Sequence, residues 1–329
     1  MFDRPSQLAT ARSIHRQTGP TFHLATRLLP PRARDPTHVL YAFFRAADEI
    51  VDDADPESTA DQREALASIR EMALGEREPT DPVLDAFATV RDEYGLDHAE
   101  IETFLDAMGM DLERARYETF DELQTYLRGS SVAVAYLLLD VFAPHLDQSA
   151  RPQAAALAEA FQLTNFLRDV REDVQRYDRI YLPLATLERH GATAEDIESL
   201  RFSDGVEATI RCELERTEEL YRQGVDGINA LPDDVQFGVL LAAVLYAEHH
   251  RLIRRQGYDT LSRRPSLSRR RRLIVAARTW YHWRRSGDPR RVFDAVSAVP
   301  VVDAGPSGRD SRPTRWPIRW IPGRIQTYL

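Results

Sequence analysis

Two short stretches of the sequence concentrate carboxylates at a spacing suited to binding divalent cations. In the first, DEIVDDAD, five of the eight residues at positions 48–55 are acidic. On a helix, Asp48 and Asp52 would share one face, with Arg45 one turn earlier. The two like charges would repel each other, and a hard cation such as Mg²⁺ removes that cost, because it takes one or two carboxylates and fills its other positions with water and phosphate oxygens. Taken alone, such a pair is also typical of a solvated acidic helix end.

A second stretch repeats the pattern in QLTNFLRDVREDVQR, which spans residues 162–176. Asp169 and Asp173 are again four residues apart, and Arg168 is adjacent to the first of them. On a helix, the polar side chains form one stripe: Gln162, Asn165, Asp169, Glu172, Asp173 and Arg176. Because the other side is apolar, we infer that the stripe lines a cavity. Two such helices facing each other could hold several Mg²⁺ ions, which would assist the departure of a diphosphate from an allylic carbon while a carbocation forms in an apolar pocket.

The composition excludes several other reaction classes. All 43 basic residues of the 329-residue chain are arginine, so neither a Schiff-base lysine nor a P-loop lysine is present. The one cysteine, Cys212, cannot form an internal disulfide or a structural thiolate zinc site. No apolar run is long enough to span a bilayer and the first residues lack a secretory signal, so we expect a cytoplasmic protein.

Charge is distributed unevenly along the chain. From Arg251 to the end there are 19 arginines and 5 acidic residues, although the whole chain has a formal net charge of −9. This basic quarter is suited to nucleic acid, anionic lipid or a phosphorylated substrate. Nucleic acid is disfavoured as a partner, because the basic residues match no known reading motif and the acidic body would repel phosphate backbones.

The C-terminal segment, residues 296–329, is rich in proline, arginine and tryptophan. Its composition fits a disordered end, but its stretch RWPIRWIPGR also suits the headgroup layer of a membrane, so we expect peripheral contact with the anionic inner membrane face. The preceding SRRRRLIVAARTWYHWRR predicts a basic helix with an apolar side formed by Leu273, Ile274, Ala277, Trp280 and Tyr281. For that helix we expect core packing of the apolar side and a solvated arginine face.

Hydrophobic periodicity predicts an all-α protein. Apolar residues recur at three- and four-residue spacing in the segments 36–52, 59–74, 81–93, 98–113, 119–143, 151–176, 206–228, 233–256 and 268–285. Clusters of proline, aspartate and serine separate these segments and mark helix ends. We therefore predict one helical domain over residues 1–295, followed by the tail 296–329.

These motifs resemble those of the squalene/phytoene synthase family, the head-to-head isoprenoid synthases. YAFFRAADEIVDD resembles the family's first aspartate-rich motif, and QLTNFLRDVREDVQRYDRIYLP resembles the second. The similarity extends over roughly residues 8–285 and includes TFHLATRLLP, FLDAMGMDLERARYETFDELQTY and GYDTLSRRPSLS. Within the family, LRDVRED is most similar to the phytoene synthases.

The resemblance implies a helical isoprenoid-synthase bundle around a central cavity. Two geranylgeranyl diphosphates would join head to head, through a cyclopropylcarbinyl diphosphate, to give phytoene, with Mg²⁺ (or Mn²⁺) assisting and without NADPH. By position, it implies ion binding by Asp48, Asp52, Asn165, Asp169 and Asp173, with Tyr126 as a further catalytic residue. It implies substrate binding by Thr21, Tyr41, Arg45, Gln162, Asn165, Arg168, Tyr246 and Arg264.

Departures from the family's pattern bear on the substrate. In the central segment YLRGSSVAVA, Val132 and Ala135 stand at positions usually held by glycine, and only Tyr126 remains of a usual tyrosine pair. Because glycine lets the chain bend beside the substrate, its replacement leaves the pocket shape and the prenyl length open. A squalene or dehydrosqualene synthase that uses farnesyl diphosphate is an alternative, and so is a non-catalytic helical assembly factor of the same fold.

Overall fold

The computed structural model describes residues 5–53 and 58–301. This part of the chain is helical and has no strand, only an isolated bridge between Arg116 and Ile180, which confirms the all-α prediction. The α-helices are α1 (Pro5–Thr18), α2 (Pro20–Thr26), α3 (Pro31–Val51), α4 (Thr59–Leu74), α5 (Pro82–Tyr94), α6 (His98–Met110), α7 (Phe120–Leu127), α8 (Val134–Phe142), α9 (Arg151–Tyr177), α10 (Leu184–Arg189), α11 (Ala194–Glu198), α12 (Asp204–Asp226), α13 (Asp233–Arg255), α14 (Arg269–Ser286) and α15 (Pro289–Val296). A π-helical segment, Arg128–Ala133, joins α7 to α8.

Local capping explains why several predicted boundaries are accurate to a residue or two. The side chain of Ser58 accepts a hydrogen bond from the Asp61 amide at the start of α4, and Gly75 ends that helix with φ +82°. Asp81 caps α5 in the same way, with its carboxylate accepting from two backbone amides. Such caps satisfy amides and carbonyls that a helix end leaves unpaired.

Helix α3 begins earlier than predicted. The sequence placed its start at residue 36, after a proline-rich cluster, but it begins at Pro31 and contains Pro36. A proline inside a helix cannot donate to the carbonyl four residues earlier, here that of Arg32. The hydroxyl of Tyr94 donates to that carbonyl instead, at 2.8 Å. This long-range contact allows α3 to extend over 21 residues.

The predicted helix over 119–143 is interrupted in its middle. The π-helical turn at Arg128–Ala133 packs against α6. Gly129 makes this approach feasible, because a Cβ atom there would lie 2.4 Å from the Thr103 carbonyl oxygen. Single π-helical turns of this kind are frequent at functional sites.

Helix α9, 27 residues long, is the centre of the bundle. It packs along α12 and also contacts α8, α13 and the π-helical segment. Leu163 belongs to the main hydrophobic core, whereas Leu167 and Val170, which follow it on the same side of the helix, belong to a second core nearer the C-terminal end. The remaining face of α9 is free to line a cavity. None of the helices in the described ranges is both long and apolar enough to cross a membrane.

The predicted boundary at Val296 coincides with the last residue of α15. Val299, three residues further on, is also buried. Arg254 donates to the Ala298 carbonyl at 3.1 Å, so the chain remains attached to the body beyond α15. The rest of the predicted tail, including RWPIRWIPGR, lies outside the described residues, as does Asp55 of the first acidic stretch.

Candidate active site

A cavity of about 1080 Å³ lies between α3, α9 and the helices around them. Every side chain singled out from the sequence as a site residue lines this one cavity: Thr21, Tyr41, Arg45, Asp48, Asp52, Tyr126, Gln162, Asn165, Arg168, Asp169, Asp173, Tyr246 and Arg264. They come from α2, α3, α7, α9, α13 and the loop before α14. The structure therefore brings together residues that are more than 200 positions apart in the chain.

The cavity has an apolar part and a polar part, and α9 runs past both. The α9 residues that line the cavity are apolar at Ala154, Leu157, Ala158 and Phe161 and, apart from Phe166, polar from Gln162 to Arg176. Asp173 lies about 28 Å along the helix axis from Ala154, at 1.5 Å per residue. Phe22, Phe44 and Phe166 also line the cavity. Phe43, the neighbour of Phe44 on α3, instead stacks on Phe87 in the core, with ring centroids 3.8 Å apart.

The first aspartate pair lies at the C-terminal end of α3. Arg45 donates to Asp48 on the same helix, and Arg179 donates to Asp52 at 2.7 Å from the segment after α9. Burial and the nearby charge of Asp52 raise the pKa of Asp48 to about 7. This pair therefore carries repulsion that its arginine neighbours only partly offset.

The second pair lies on α9 and its members have opposite environments. Burial alone would raise the pKa of Asp169, but the adjacent guanidinium groups of Arg168 and Arg264 hold it below its ordinary value. Arg264 reaches Asp169 at 2.6 Å and Glu172 at 2.7 Å from the loop before α14. Asp173 has no ion pair among the described residues, and its exposed part faces the cavity.

The two acidic helices face each other across the cavity. Burial raises the pKa of Asp173 well above its ordinary value, and the charges of Asp169, Glu172 and Asp52 raise it further. Because Asp52 stands at the end of α3, this repulsion acts between the two motifs. An arrangement of this kind attracts a polyvalent cation.

The side chains at this end of the cavity fit hydrated Mg²⁺ ions that also take oxygens from a diphosphate. In the described part of the chain, no three acidic, histidine or cysteine side chains converge closely enough to bind a metal ion by themselves. Mg²⁺ commonly takes one or two carboxylates and leaves its other positions to water and substrate, so it does not require such a cluster. Asn165 adds a buried amide oxygen that has no hydrogen-bond partner among the described residues.

The remaining predicted residues surround the same space. The ring of Tyr41 stacks on His15 at 4.0 Å, and its oxygen accepts from Thr18 at 3.2 Å. Tyr246 packs on Phe161, with ring centroids 4.8 Å apart, and burial raises its pKa to about 12.

Sequence reasoning missed a buried network beside the first motif. The carboxylate of Asp111 accepts from Tyr126 at 2.7 Å and from Tyr181 at 3.1 Å. Burial raises its pKa to about 6, although Arg179 and both tyrosines act in the opposite direction. Arg179 also donates to the Val51 carbonyl at 2.9 Å and so ties the end of α3 to the end of α9. Asp111 lies in GMDLER and Arg179 lies in RIYLP, but no local feature of the sequence showed that these two residues meet.

Comparison with known proteins agrees with this geometry. The family model for squalene/phytoene synthase matches residues 15–271. The phytoene synthase of Cereibacter sphaeroides is 32% identical over 278 residues, which cover 82% of this chain and 78% of the relative. The phytoene synthase of Arthrospira platensis is also 32% identical, over 79% of this chain and 88% of the relative.

Solved structures give the same fold. A dehydrosqualene synthase superposes with a TM-score of 0.76 at 25% identity and covers 85% of this chain and 97% of the other. A squalene synthase from Alicyclobacillus acidocaldarius superposes with a TM-score of 0.66 at 27% identity, over 77% of this chain and 95% of the other.

Fold and site together define a helical prenyltransferase with paired aspartate motifs. The chain belongs to the squalene/phytoene synthase family. Its reaction class is head-to-head prenyl condensation, which confirms the family and enzyme predictions.

Proposed function

We propose that the protein condenses two geranylgeranyl diphosphates to phytoene, in a Mg²⁺-dependent reaction that passes through a cyclopropylcarbinyl diphosphate. The observation that carries this proposal is the cavity, with two carboxylate pairs and several arginines at one part and an apolar wall at the other. The curated relatives that support it are phytoene synthases from both bacteria and plants.

Asp48, Asp52, Asn165, Asp169 and Asp173 would hold the ions. When bound, Mg²⁺ neutralises charge on the diphosphate oxygens as the carbon–oxygen bond breaks. The proposal matches the pKa values, because a bound cation would favour the ionised form of Asp48 and Asp173, which burial and mutual repulsion now disfavour.

The arginines would position the diphosphates. Arg45, Arg168 and Arg264 already form ion pairs with site carboxylates, and their planar groups are suited to bidentate contact with phosphate. Gln162, Thr21, Tyr41 and Tyr246 would complete the contacts around the substrate. The apolar wall formed by α8 and the first half of α9 would hold the prenyl chains and keep water from the carbocation.

Tyr126 is proposed to act where the carbocation forms. Its hydroxyl donates to Asp111, and both residues line the cavity, so the phenol oxygen lies at the cavity wall. A cation in an apolar pocket is stabilised by oxygen dipoles placed in this way.

Condensation of farnesyl diphosphate is the second candidate, because two of the superposed structures are a dehydrosqualene synthase and a squalene synthase. Val132 is buried and does not line the cavity, whereas Ala135 does. Ala135 is therefore the replacement that bears on prenyl length.

The test is incubation of purified protein and Mg²⁺ with geranylgeranyl or farnesyl diphosphate, with and without NADPH, followed by product analysis. We expect phytoene from the C20 substrate, no need for NADPH, and loss of product in EDTA. Preferential use of farnesyl diphosphate, or a reduced product that requires NADPH, would contradict the proposal and favour the second candidate.

We also propose that the protein works in the cytoplasm, at the inner face of the membrane, because its substrates and product are oily. Nucleic acid is not a proposed partner.

A further inference from the structure

Helix α14 exposes large apolar side chains that were expected to pack in the core. Leu273 is 63% exposed and Trp280 is 55% exposed, and Ile274 and Tyr281 are exposed as well. Among the described residues, only two further large hydrophobic side chains are comparably exposed, Leu28 and Val301. Buried contacts of the helix are made instead by Val275 and Thr279, on its other face.

Arginines share this exposed face. Leu273, Ala277, Trp280, Tyr281 and Arg284 follow one another at helical spacing, so they form a continuous strip. Exposed arginines lie within and along its edges: Arg269, Arg270, Arg278, Arg284 and Arg285. We call this surface, from Arg269 to Arg285, the α14 face.

The charge of the α14 face is uncompensated within the described part of the chain. The helix contains no acidic residue, and none of its exposed arginines forms an ion pair with a described residue. By contrast, Arg271, on the inner side, pairs with the buried Glu248 at 2.8 Å. Two of the exposed arginines contact aromatic rings: Arg284 lies 5.9 Å from the Trp280 ring, and Arg285 donates to the Tyr281 hydroxyl at 3.0 Å.

We propose that the α14 face docks on the surface of an anionic lipid bilayer. Arginine, tryptophan and exposed aliphatic side chains on one helix face match the headgroup layer, where phosphate is close to hydrocarbon. A second copy of the chain docked through the same face would bring like charges together. The segment after residue 301 is also basic, with five arginines and two aspartates, so it is poorly matched as a cover. A nucleic acid would leave the aliphatic Leu273 and Ile274 without a role.

The position of the α14 face also relates it to the active site. Arg272, next to Leu273, lines the cavity, and so does Leu267 just before the helix. Docking through this face would place one side of the cavity near the bilayer, where a prenyl diphosphate resides. This second step rests on the proposed function, whereas docking itself does not.

Sedimentation of the full chain with vesicles tests the docking. One variant carries Leu273→Ser and Trp280→Ser, and another carries Arg284→Gln and Arg285→Gln. Matched controls are Leu28→Ser, which removes an exposed apolar residue elsewhere, and Arg63→Gln with Arg77→Gln, which removes two exposed arginines elsewhere. Vesicles of phosphatidylglycerol and phosphatidylcholine are compared with vesicles of phosphatidylcholine alone.

We expect the wild-type chain and both controls to bind the anionic vesicles. The arginine variant should partition roughly 25-fold less, since each arginine near an anionic surface contributes about fivefold. The apolar variant should lose about tenfold. Equal binding by wild type and the α14 variants, an equal loss in the controls, or binding to duplex nucleic acid and not to vesicles would each overturn the proposal.

Turnover measurements distinguish a failure of the docking proposal from a failure of the proposed function. With substrate in detergent, both α14 variants should retain wild-type turnover, because none of their changed residues lines the cavity. With substrate in anionic vesicles they should be slower. Absence of prenyl condensation by the wild-type chain in detergent would count against the proposed function and leave the vesicle result standing.

Discussion

At the residue scale, the two carboxylates of the second motif, Asp169 and Asp173, have opposite electrostatic environments. Asp169 is held by two arginines, which lower its pKa, whereas burial and neighbouring acids raise the pKa of Asp173. Both lie on the same face of α9, one helical turn apart. Loss of either charge should therefore affect catalysis in the same way and stability in opposite ways.

We predict that Asp173→Asn and Asp169→Asn each reduce turnover by about 10²-fold or more, because several kcal/mol of charge stabilisation depend on the ion ligands. Without metal, Asp173→Asn should raise Tm by about 2–4 °C, the shift that about 1 kcal/mol gives in a chain of similar or somewhat smaller size. Asp169→Asn should lower Tm, because Arg168 loses its carboxylate partner and Arg264 loses one of its two. Thermal unfolding in EDTA and steady-state kinetics measure these changes.

The pH dependence of Tm tests whether these stability changes come from the charges of Asp173 and Asp169. The folded-state pKa of Asp173 lies above its ordinary value of 3.8, so its penalty is absent at low pH and appears as pH rises. The Tm gain of Asp173→Asn should therefore be present at pH 8 and vanish near pH 4. For Asp169 the folded-state pKa is lowered, so its stabilisation is present above 3.8 and is lost as pH falls through the folded value. A Tm gain for Asp173→Asn that does not vary with pH would exclude repulsion as its origin.

At the element scale, the π-helical segment forms part of the cavity wall. It carries Ser130 and Ser131 into the cavity lining while Gly129 rests on α6. Of the two positions that the family usually fills with glycine, Val132 lies inside this segment and Ala135 lies two residues beyond it. We infer that the altered winding provides the local freedom that glycine would give there.

We predict that Gly129→Ala destabilises the protein by about 1–3 kcal/mol, because the new methyl group overlaps the Thr103 carbonyl and the Ala107 side chain. Turnover should fall as well, since the segment would move away from α6. Urea unfolding and product formation provide the measurements.

Gly109→Ala, in α6, is the matched control. The nearest atom to its added Cβ is Leu66 Cδ2 at 3.8 Å, an ordinary contact. This substitution should stabilise the protein by about 0.4–1 kcal/mol through the unfolded state. Similar destabilisation by both changes would show that close packing at Gly129 is not the reason.

At the scale of the whole molecule, the active site is a contact between distant parts of the chain. Arg179 joins Asp52 across 127 positions, and Arg264 joins Asp169 across 95. A ligand that bridges the acidic helices should therefore stabilise the whole bundle and not one element.

We predict that Mg²⁺ and inorganic diphosphate together raise Tm by roughly 5–10 °C at a hundredfold excess over Kd, which corresponds to about 2.7 kcal/mol. Either component alone should have a much smaller effect, because the carboxylates need the cation and the cation needs phosphate oxygens. Differential scanning fluorimetry measures the shift, with Asp173→Asn as the control that should lose it. Equal shifts with diphosphate alone would contradict a bridging metal.

The amino-acid sequence by itself determined the helical architecture, the boundaries of most of the helices that it predicted, and the side chains of the two acidic motifs. These are local properties, since a period of 3.6 residues decides which side chains share a face and caps decide where a helix ends. Only the tertiary structure decided which faces meet. Three features depend on how segments far apart in the chain pack. They are the hydrogen bond from Tyr94 to the Arg32 carbonyl, the contact of Asp111 with Tyr126 and Tyr181, and the exposure of the α14 face. Periodicity shows that a helix has an apolar side, but whether that side is buried depends on whether another element packs against it.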